Sequence, residues 1–283
     1  MTTPKFKTIK AHDHINIRVA KYESTTAPIG VVQIIHGFGE GIGHYDDVID
    51  FFTGHGYICV MHDQRGFGEM PDLTPIQRKS SQGIAPSYNH FLQDIKILYN
   101  NIRKWYPTLP VILFGHSMGG NIVSNHLLEH AKDYDKAIIQ APWLRLYNPM
   151  PKIAVPFAKL IGKFSTKIKI KAKLGMHFIT RDKDKLDKLL KCNFFHTKLS
   201  LKLFAEISIA GEYAIIHAAQ IPIPTLLLIP GGDKIVCVKA IREFAVNAGS
   251  NFHCIEYPDA YHALHSDIIR DEVLNAMLTF CKI

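Results

Sequence analysis

Val111-Ile-Leu-Phe-Gly115-His116-Ser117-Met118-Gly119-Gly120 sets four apolar residues directly before a Gly-x-Ser-x-Gly segment, and a helical pattern (Ile122, Val123, His126, Leu127) follows at once. This reads as strand, sharp turn and helix with a single hydroxyl at the apex. A serine on such an elbow projects above the sheet edge, and the small residues two positions to either side let the backbone bend. Because the helix starts immediately afterwards, its unpaired N–H groups and positive dipole end face any negative charge that develops near Ser117. The motif taken alone is also a glycine-rich turn capping a helix. Its chemical reading requires a base, an acid and a pair of oxyanion donors elsewhere in the chain.

The flanking sequence predicts the scaffold. Gly30–His36 is a buried strand running into Gly37-Phe38-Gly39-Glu40-Gly41, followed by a helix with Val48, Ile49, Phe51 and Phe52 inside and a second apolar strand, Tyr57–Met61. This β–glycine–α–β unit resembles a dinucleotide fold, with Asp63 placed to hold a ribose. The glycine spacing excludes it, since the third required position is Ile42 in one register and His44 in the other. Asn89–Trp105 is amphipathic through Phe91, Leu92, Ile95, Leu98, Tyr99 and Ile102, and Pro107 and Pro110 end it before the elbow strand. Lys136–Ala141 is a further strand. Strands alternating with helices predict an α/β fold, a mostly parallel central sheet with helices on both faces.

The alternation stops near residue 144 and returns with the strand Pro224–Pro230, a helix over Val238–Ala248, the strand Phe252–Tyr257 and a last helix over Ser266–Phe280. Residues 1–143 and 219–283 therefore read as the core, and 144–218 as a helical cap or lid inserted above the sheet edge where such folds bind ligands. Helix is expected from Pro149 to Phe164, and alternation of Lys with Ile or Ala from Thr166 to Lys173.

Charge follows this division. The chain carries a net +8, yet twelve lysines and two arginines face only three aspartates between residues 145 and 200. Lys152, Lys159, Lys163, Lys167, Lys169, Lys171 and Lys173 line one side of an apolar segment. This is either a solvated face over the site or an interfacial lid that settles on anionic membrane. No aromatic-interleaved basic motif accompanies the charge, so nucleic acid is not an expected partner.

The five cysteines are scattered and unpatterned, with Cys59 and Cys254 in apolar runs, which predicts buried, reduced thiols. The first residues, Met-Thr-Thr-Pro-Lys-Phe-Lys, hold no apolar signal region and no stretch approaches a membrane span. A cytoplasmic location, with peripheral membrane contact through the lysines, is expected. Phe6–Glu23 alternates as a β-hairpin around His12-Asp13-His14; this His-x-His suggests a metal pair, but no third ligand is evident in sequence, so these read as turn residues.

A serine hydroxyl needs a base, and on this type of scaffold the partners follow in the order Ser, Asp or Glu, His at the ends of later strands. Asp233 follows the strand ending at Pro230, and His262 follows the strand ending at Tyr257. The nearest competitors are Asp259, too close in sequence to orient the histidine from behind, and His265, expected at the start of the last helix. The oxyanion donors are expected from the backbone N–H groups of Met118, in the elbow, and Phe38, in the turn after the first central strand.

Together, His36-Gly-Phe-Gly-Glu40, Asp63-Gln-Arg-Gly-Phe-Gly68, Gly115-His-Ser-Met-Gly-Gly120, Gly232-Asp233 before Lys-Ile-Val, and Tyr261-His262 resemble the α/β-hydrolases of the monoacylglycerol lipase/lysophospholipase group, of the serine aminopeptidase S33 type. The resemblance spans nearly the whole chain. It implies Ser117 as nucleophile, His262 as base, Asp233 as its orienter, Phe38 and Met118 as oxyanion donors, a long-chain monoacyl ester as substrate, and no metal or organic cofactor. It also implies substrate contact by Glu40, which is otherwise a surface loop acid, and by His44. Departures from the family pattern are His44 in place of Arg, Pro230 in place of Gly, and His265-Ser266-Asp267 in place of Leu-Asn-Glu; these bear on head-group recognition. A short-chain carboxylesterase, thioesterase or peptidase of the same fold is the alternative, followed by a non-catalytic binding protein of that fold.

Overall fold

In the computed structural model the described residues are 2–149, 155, 158, 162, 165–172 and 175–282. Among them the strands are β1 (Lys5–Lys10), β2 (Asn16–Tyr22), β3 (Gly30–Ile35), β4 (Tyr57–His62), β5 (Val111–His116), β6 (Lys136–Gln140), β7 (Lys169–Lys171), β8 (Lys198–Ser200), β9 (Thr225–Pro230) and β10 (Phe252–Tyr257). The α-helices are α1 (Asp46–Gly54), α2 (Pro75–Ser81), α3 (Asn89–Trp105), α4 (Met118–His130), α5 (Lys183–Leu190), α6 (Leu201–His217), α7 (Val238–Ala248) and α8 (Arg270–Lys282).

Eight strands form one sheet in the order β1-β2-β4-β3-β5-β6-β9-β10. The pairs from β4 through β10 are parallel, whereas β1–β2 and β2–β4 are antiparallel, so the amino-terminal hairpin extends one edge. Each central strand is apolar on both faces because both are covered. In β5, Val111 and Leu113 join the core packed under α3, α4, α6 and α7, while Ile112 and Phe114 join the core under α1 and α8. The mostly parallel sheet with helices on both faces is the one expected from the alternation.

Local chemistry sets the helix limits. α3 buries Phe91, Ile95, Leu98 and Ile102 at helical spacing. α2 starts at a capping box, Thr74 Oγ1 accepting the Gln77 N–H at 3.3 Å and the Gln77 side chain accepting the Thr74 N–H at 2.9 Å, with Pro75 in the first turn.

The segment after β6 has two parts. The short pair β7–β8 and helix α5 lie above the sheet edge, and Lys185 and Lys188 tie α5 to Asp47 and Asp46 of α1. α6 instead packs against α4 and α7. The helix expected over 149–164 lies for the most part outside the described residues, as do Lys152, Lys159, Lys163 and Lys173 of the lysine series.

Two expectations are corrected. The last helix begins at Arg270, because Leu264–Ser266 forms a separate 3₁₀ turn in which His265 is buried. Cys254 is exposed, because β10 is the edge strand of the sheet and its middle residues are covered on neither face as the central strands are. Residues 75–81, which carry no apolar stripe, are helical by their cap. Among the described residues no helix is long and apolar enough to cross a membrane.

Candidate active site

Ser117 stands between β5 and α4 with φ 55° and ψ −118°, a conformation that side chains other than glycine rarely adopt. The strain is held in place by backbone hydrogen bonds: Ser117 N–H donates to Gln140 O at 3.0 Å, and Ser117 O accepts from Asn121 at 3.0 Å and Trp143 at 2.9 Å. The flanking glycines are required by close approach. A Cβ on Gly119 would lie 2.1 Å from Ile35 O, and one on Gly115 would lie 2.6 Å from both Gly119 O and Val123 Cγ2.

The structure brings Ser117, His262 and Asp233 into one hydrogen-bonded chain. His262 Nε2 is 2.8 Å from Ser117 Oγ, and His262 Nδ1 is 2.6 Å from Asp233 Oδ2. All three side chains are buried. A carboxylate oxygen only accepts, so Nδ1 carries the proton and Nε2 presents its lone pair to the hydroxyl. Asp233 is itself fixed, its Oδ1 accepting from the N–H groups of Ile235 (2.6 Å) and Val236 (3.0 Å). The histidine loop is fixed from above. Its N–H groups at His262 and Ala263 donate to Phe178 O (3.2 Å) and Ile179 O (2.7 Å) of the segment over the sheet edge.

Phe38 lies beside this chain on the turn after β3, packed edge-on to Phe67 and Trp143. Met118 opens α4, so its N–H is among the first-turn donors that have no partner within the helix. The turn carrying Phe38 is braced on both sides. His36 Nε2 accepts from Gln64 N–H at 2.9 Å, His36 Nδ1–H donates to Gly37 O at 2.8 Å, and Gln64 Nε2 donates to His36 O at 2.6 Å.

Glu40 is interior rather than a surface loop acid. Its Oε2 accepts from Gly37 N–H (2.7 Å) and Tyr45 O–H (2.6 Å), with His116 Nδ1 at 3.5 Å. Burial opposes ionisation of this carboxyl, but the His116, His44 and His265 rings around it together outweigh burial and hold Glu40 well below the usual carboxylate range. His44 faces the same region, its Nδ1 accepting from Gly41 N–H at 3.2 Å and its ring packed on Phe194. Burial pushes its pKa down to about 4.

Two cavities meet at Glu40. The first is lined by Ser117, His262, Phe38, Trp143, Leu146 and Ile235 among others, a mostly apolar wall with the hydroxyl and imidazole set into it. The second is polar and takes in Glu40, His44, Asp46, Asp47, Lys185 and His265. Tyr45 and Trp143 are site residues that the motifs did not mark, and His265, set aside as the base, lines the polar cavity. Tyr45 holds Glu40, Trp143 walls the apolar cavity, and His265 accepts from Gln140 Nε2 at 2.8 Å while stacking on Tyr45. Only the position of Tyr45, one turn after Glu40 and buried at a helix start, could have pointed to it.

A hydroxyl hydrogen-bonded to an imidazole that a carboxylate orients, on a strained elbow of this fold, defines a serine hydrolase of the α/β-hydrolase class. The chain belongs to the serine aminopeptidase S33 family, whose model matches residues 26–268. It is similar to an uncharacterised abhydrolase domain-containing protein of Dictyostelium discoideum, 24% identical over 99% of this chain, although the chain spans only 29% of that protein's length. It is 26% identical to a monoacylglycerol lipase of Mycolicibacterium smegmatis, covering 86% of this chain and 84% of the relative. The crystal structure of Paleococcus ferrophilus monoacylglycerol lipase superimposes with a TM-score of 0.83 at 22% identity, covering 94% of this chain and 98% of that one, which shows the shared fold.

Proposed function

We propose that the protein hydrolyses monoacyl lipid esters, monoacylglycerol or lysophospholipid, through a covalent acyl-enzyme. The observation that carries this reading is the 2.8 Å contact between Ser117 Oγ and His262 Nε2 at the wall of an apolar cavity. Ser117 Oγ attacks the ester carbonyl as His262 takes its proton, and Asp233 holds the imidazole and balances the imidazolium. The N–H groups of Phe38 and Met118 receive the oxyanion, each worth about 3 kcal/mol of barrier. His262 then protonates the leaving alcohol and activates water to release the acid. The acyl chain takes the apolar cavity, and the alcohol lies toward Glu40 and His44. The relatives named as monoacylglycerol lipases support the substrate class.

Residues 1–143 and 219–283 serve as the core and 144–218 as the inserted cap, whose last helix, α6, lies against α4 and α7 of the core. Contact with anionic membrane draws support from Lys167 and Lys171 on the exposed side of the cap. Vesicle binding that weakens with salt is the expected outcome, and equal binding to neutral vesicles would refute it. The unpaired cysteines support a reducing, cytoplasmic setting.

The test is fatty-acid release from monooleoylglycerol and oleoyl-lysophosphatidylcholine, with Ser117→Ala as control. Release that disappears in the variant supports the proposal, and the ratio of the two rates names the head group. Cleavage of short esters alone would overturn the lipid assignment in favour of a carboxylesterase.

A further inference from the structure

The turn between β1 and β2 holds Asp13 with unusual firmness. Arg65 grips both of its carboxylate oxygens, Nη1 to Oδ2 at 2.6 Å and Nη2 to Oδ1 at 3.1 Å. The same guanidinium is anchored to buried Asp94 of α3, Nε to Oδ2 at 2.5 Å and Nη2 to Oδ1 at 2.7 Å. A bidentate fork on each side leaves the Asp13 carboxylate little freedom. One turn earlier on α3, His90 directs Nε2 toward Asp13 Oδ2 at 3.8 Å, while its Nδ1 is held by Ser87 Oγ at 2.8 Å. The His12 ring lies 4.8 Å from the His90 ring. One ligand atom from each of His12, Asp13 and His90 falls within 4.8 Å of the other two. His14 is not part of this group; the second imidazole beside His12 comes from helix α3 instead.

We propose that His12, Asp13 and His90 form a surface site for a zinc ion, with the fourth position open to water. Two imidazole nitrogens and one carboxylate oxygen are ligands that suit zinc, whereas calcium and magnesium require oxygen-dominated shells. Zinc bonds of about 2.0–2.1 Å in a tetrahedron place neighbouring ligand atoms about 3.3 Å apart, so closure asks the side chains to draw in modestly. The outer partners are already in place: Ser87 fixes the His90 ring through its second nitrogen, and Arg65 fixes Asp13, the pattern by which bound metals have their ligands oriented. Asp13 and Asp94 together outweigh the single charge of Arg65, so a dication meets a net negative surround. Bound zinc would staple the amino-terminal hairpin to α3, away from Ser117.

The experiment is titration of chelator-treated protein with zinc chloride against a zinc indicator, paired with thermal unfolding. His12 is exposed, so His12→Ala leaves the fold intact and is the first variant; His12→Ala/His90→Ala is the second. One zinc per chain is expected, with a rise in unfolding temperature, and affinity falling at least about tenfold in His12→Ala together with loss of the thermal shift. Replacement of the exposed His55 controls for scattered surface histidines and should change neither readout. Zinc affinity in the double variant equal to that of the unsubstituted protein overturns the proposal, as does a thermal shift that survives it.

Discussion

Oε2 of Glu40 accepts the backbone N–H of Gly37 at 2.7 Å, so a side chain at the end of the loop after β3 holds the start of that loop. Phe38 follows Gly37 directly. The carboxylate therefore acts on the placement of the Phe38 N–H as well as lining the polar cavity, and Tyr45 fixes it from the far side.

Glu40→Gln separates these two roles. The amide keeps a comparable volume but loses the charge that strengthens both hydrogen bonds, and a displacement of about 1 Å in a catalytic loop costs up to about 100-fold. We expect kcat on p-nitrophenyl acetate, which has no glycerol, to fall by about tenfold or more with KM little changed. Undiminished turnover of that ester, with loss confined to monoacylglycerol, would show that Glu40 serves the head group alone.

Asp233→Asn tests the orientation of the imidazole. Oδ1 is committed to the Ile235 and Val236 N–H groups, so the substituted amide nitrogen must take the Oδ2 position and point a donor at His262 Nδ1. That selects the tautomer whose Nε2 carries the proton and cannot accept one from Ser117. A fall of about 10⁴ in kcat is expected with the fold unchanged. A loss under tenfold would mean that Asp233 does not orient the base.

The elements just used differ in how far the sequence exposed them. The elbow, α3, α7 and β10 follow from local pattern, because glycine spacing and apolar periodicity are properties of short segments. Asp233 and His262 were legible because each falls one loop past a strand late in the chain, in the order the elbow serine requires. What escaped depends on distant residues meeting. Glu40 looks like a loop acid until Tyr45 and His116 are placed around it, and the His12–Asp13 turn looks inert until α3 brings His90 beside it. Cys254 lies in an apolar run, but only sheet order reveals that its strand is an edge.

Gly119→Ala should cost stability rather than merely activity. Its Cβ would meet Ile35 O at 2.1 Å, a backbone atom in the centre of the sheet, and no side-chain rotation relieves that contact. Overpacking of this kind costs about 1–3 kcal/mol or more. The midpoint of urea unfolding is expected to drop, with the serine-reactive fraction falling in parallel. An unchanged midpoint would mean that α4 can slide away from β3.

Acid stability should be governed by buried histidines. Burial lowers His44 and His196 to about 4, and His62 and His126 to about 3, against about 6.5 in an unfolded chain. The unfolded state therefore binds more protons between these limits. Stability is whole above pH 6.5 and declines as pH falls toward 3–4, each ring contributing up to about 1.4 kcal/mol per pH unit. Neither ring nitrogen of His62 has a hydrogen-bond partner among the described residues, so His62→Leu should flatten the decline without loss at pH 7. Unfolding midpoints at pH 7, 6, 5 and 4 measure it, and an unaltered slope in the variant would remove His62 from the account.

The hold of residues 178–181 on the histidine loop rests on Arg181 and Asp267. Asp267 is fully buried, and its carboxylate takes the Arg181 backbone N–H (2.9 Å), Nε (2.8 Å) and Nη2 (2.6 Å). Next to this pair, Ile179 O accepts from Ala263 and Thr180 Oγ1 donates to Ser266 O. Arg181→Ala strands a buried carboxylate, and removing one partner of such a pair costs about 3 kcal/mol. Arg181→Ala/Asp267→Ala removes both charges, so it should be more stable than the single variant while still loosening the loop. Turnover should then fall in both variants, because Phe178 and Ile179 no longer hold His262 and Ala263 as firmly. If the double variant is as unstable as the single one, the cost lies in lost packing, and the unpaired charge is not its source.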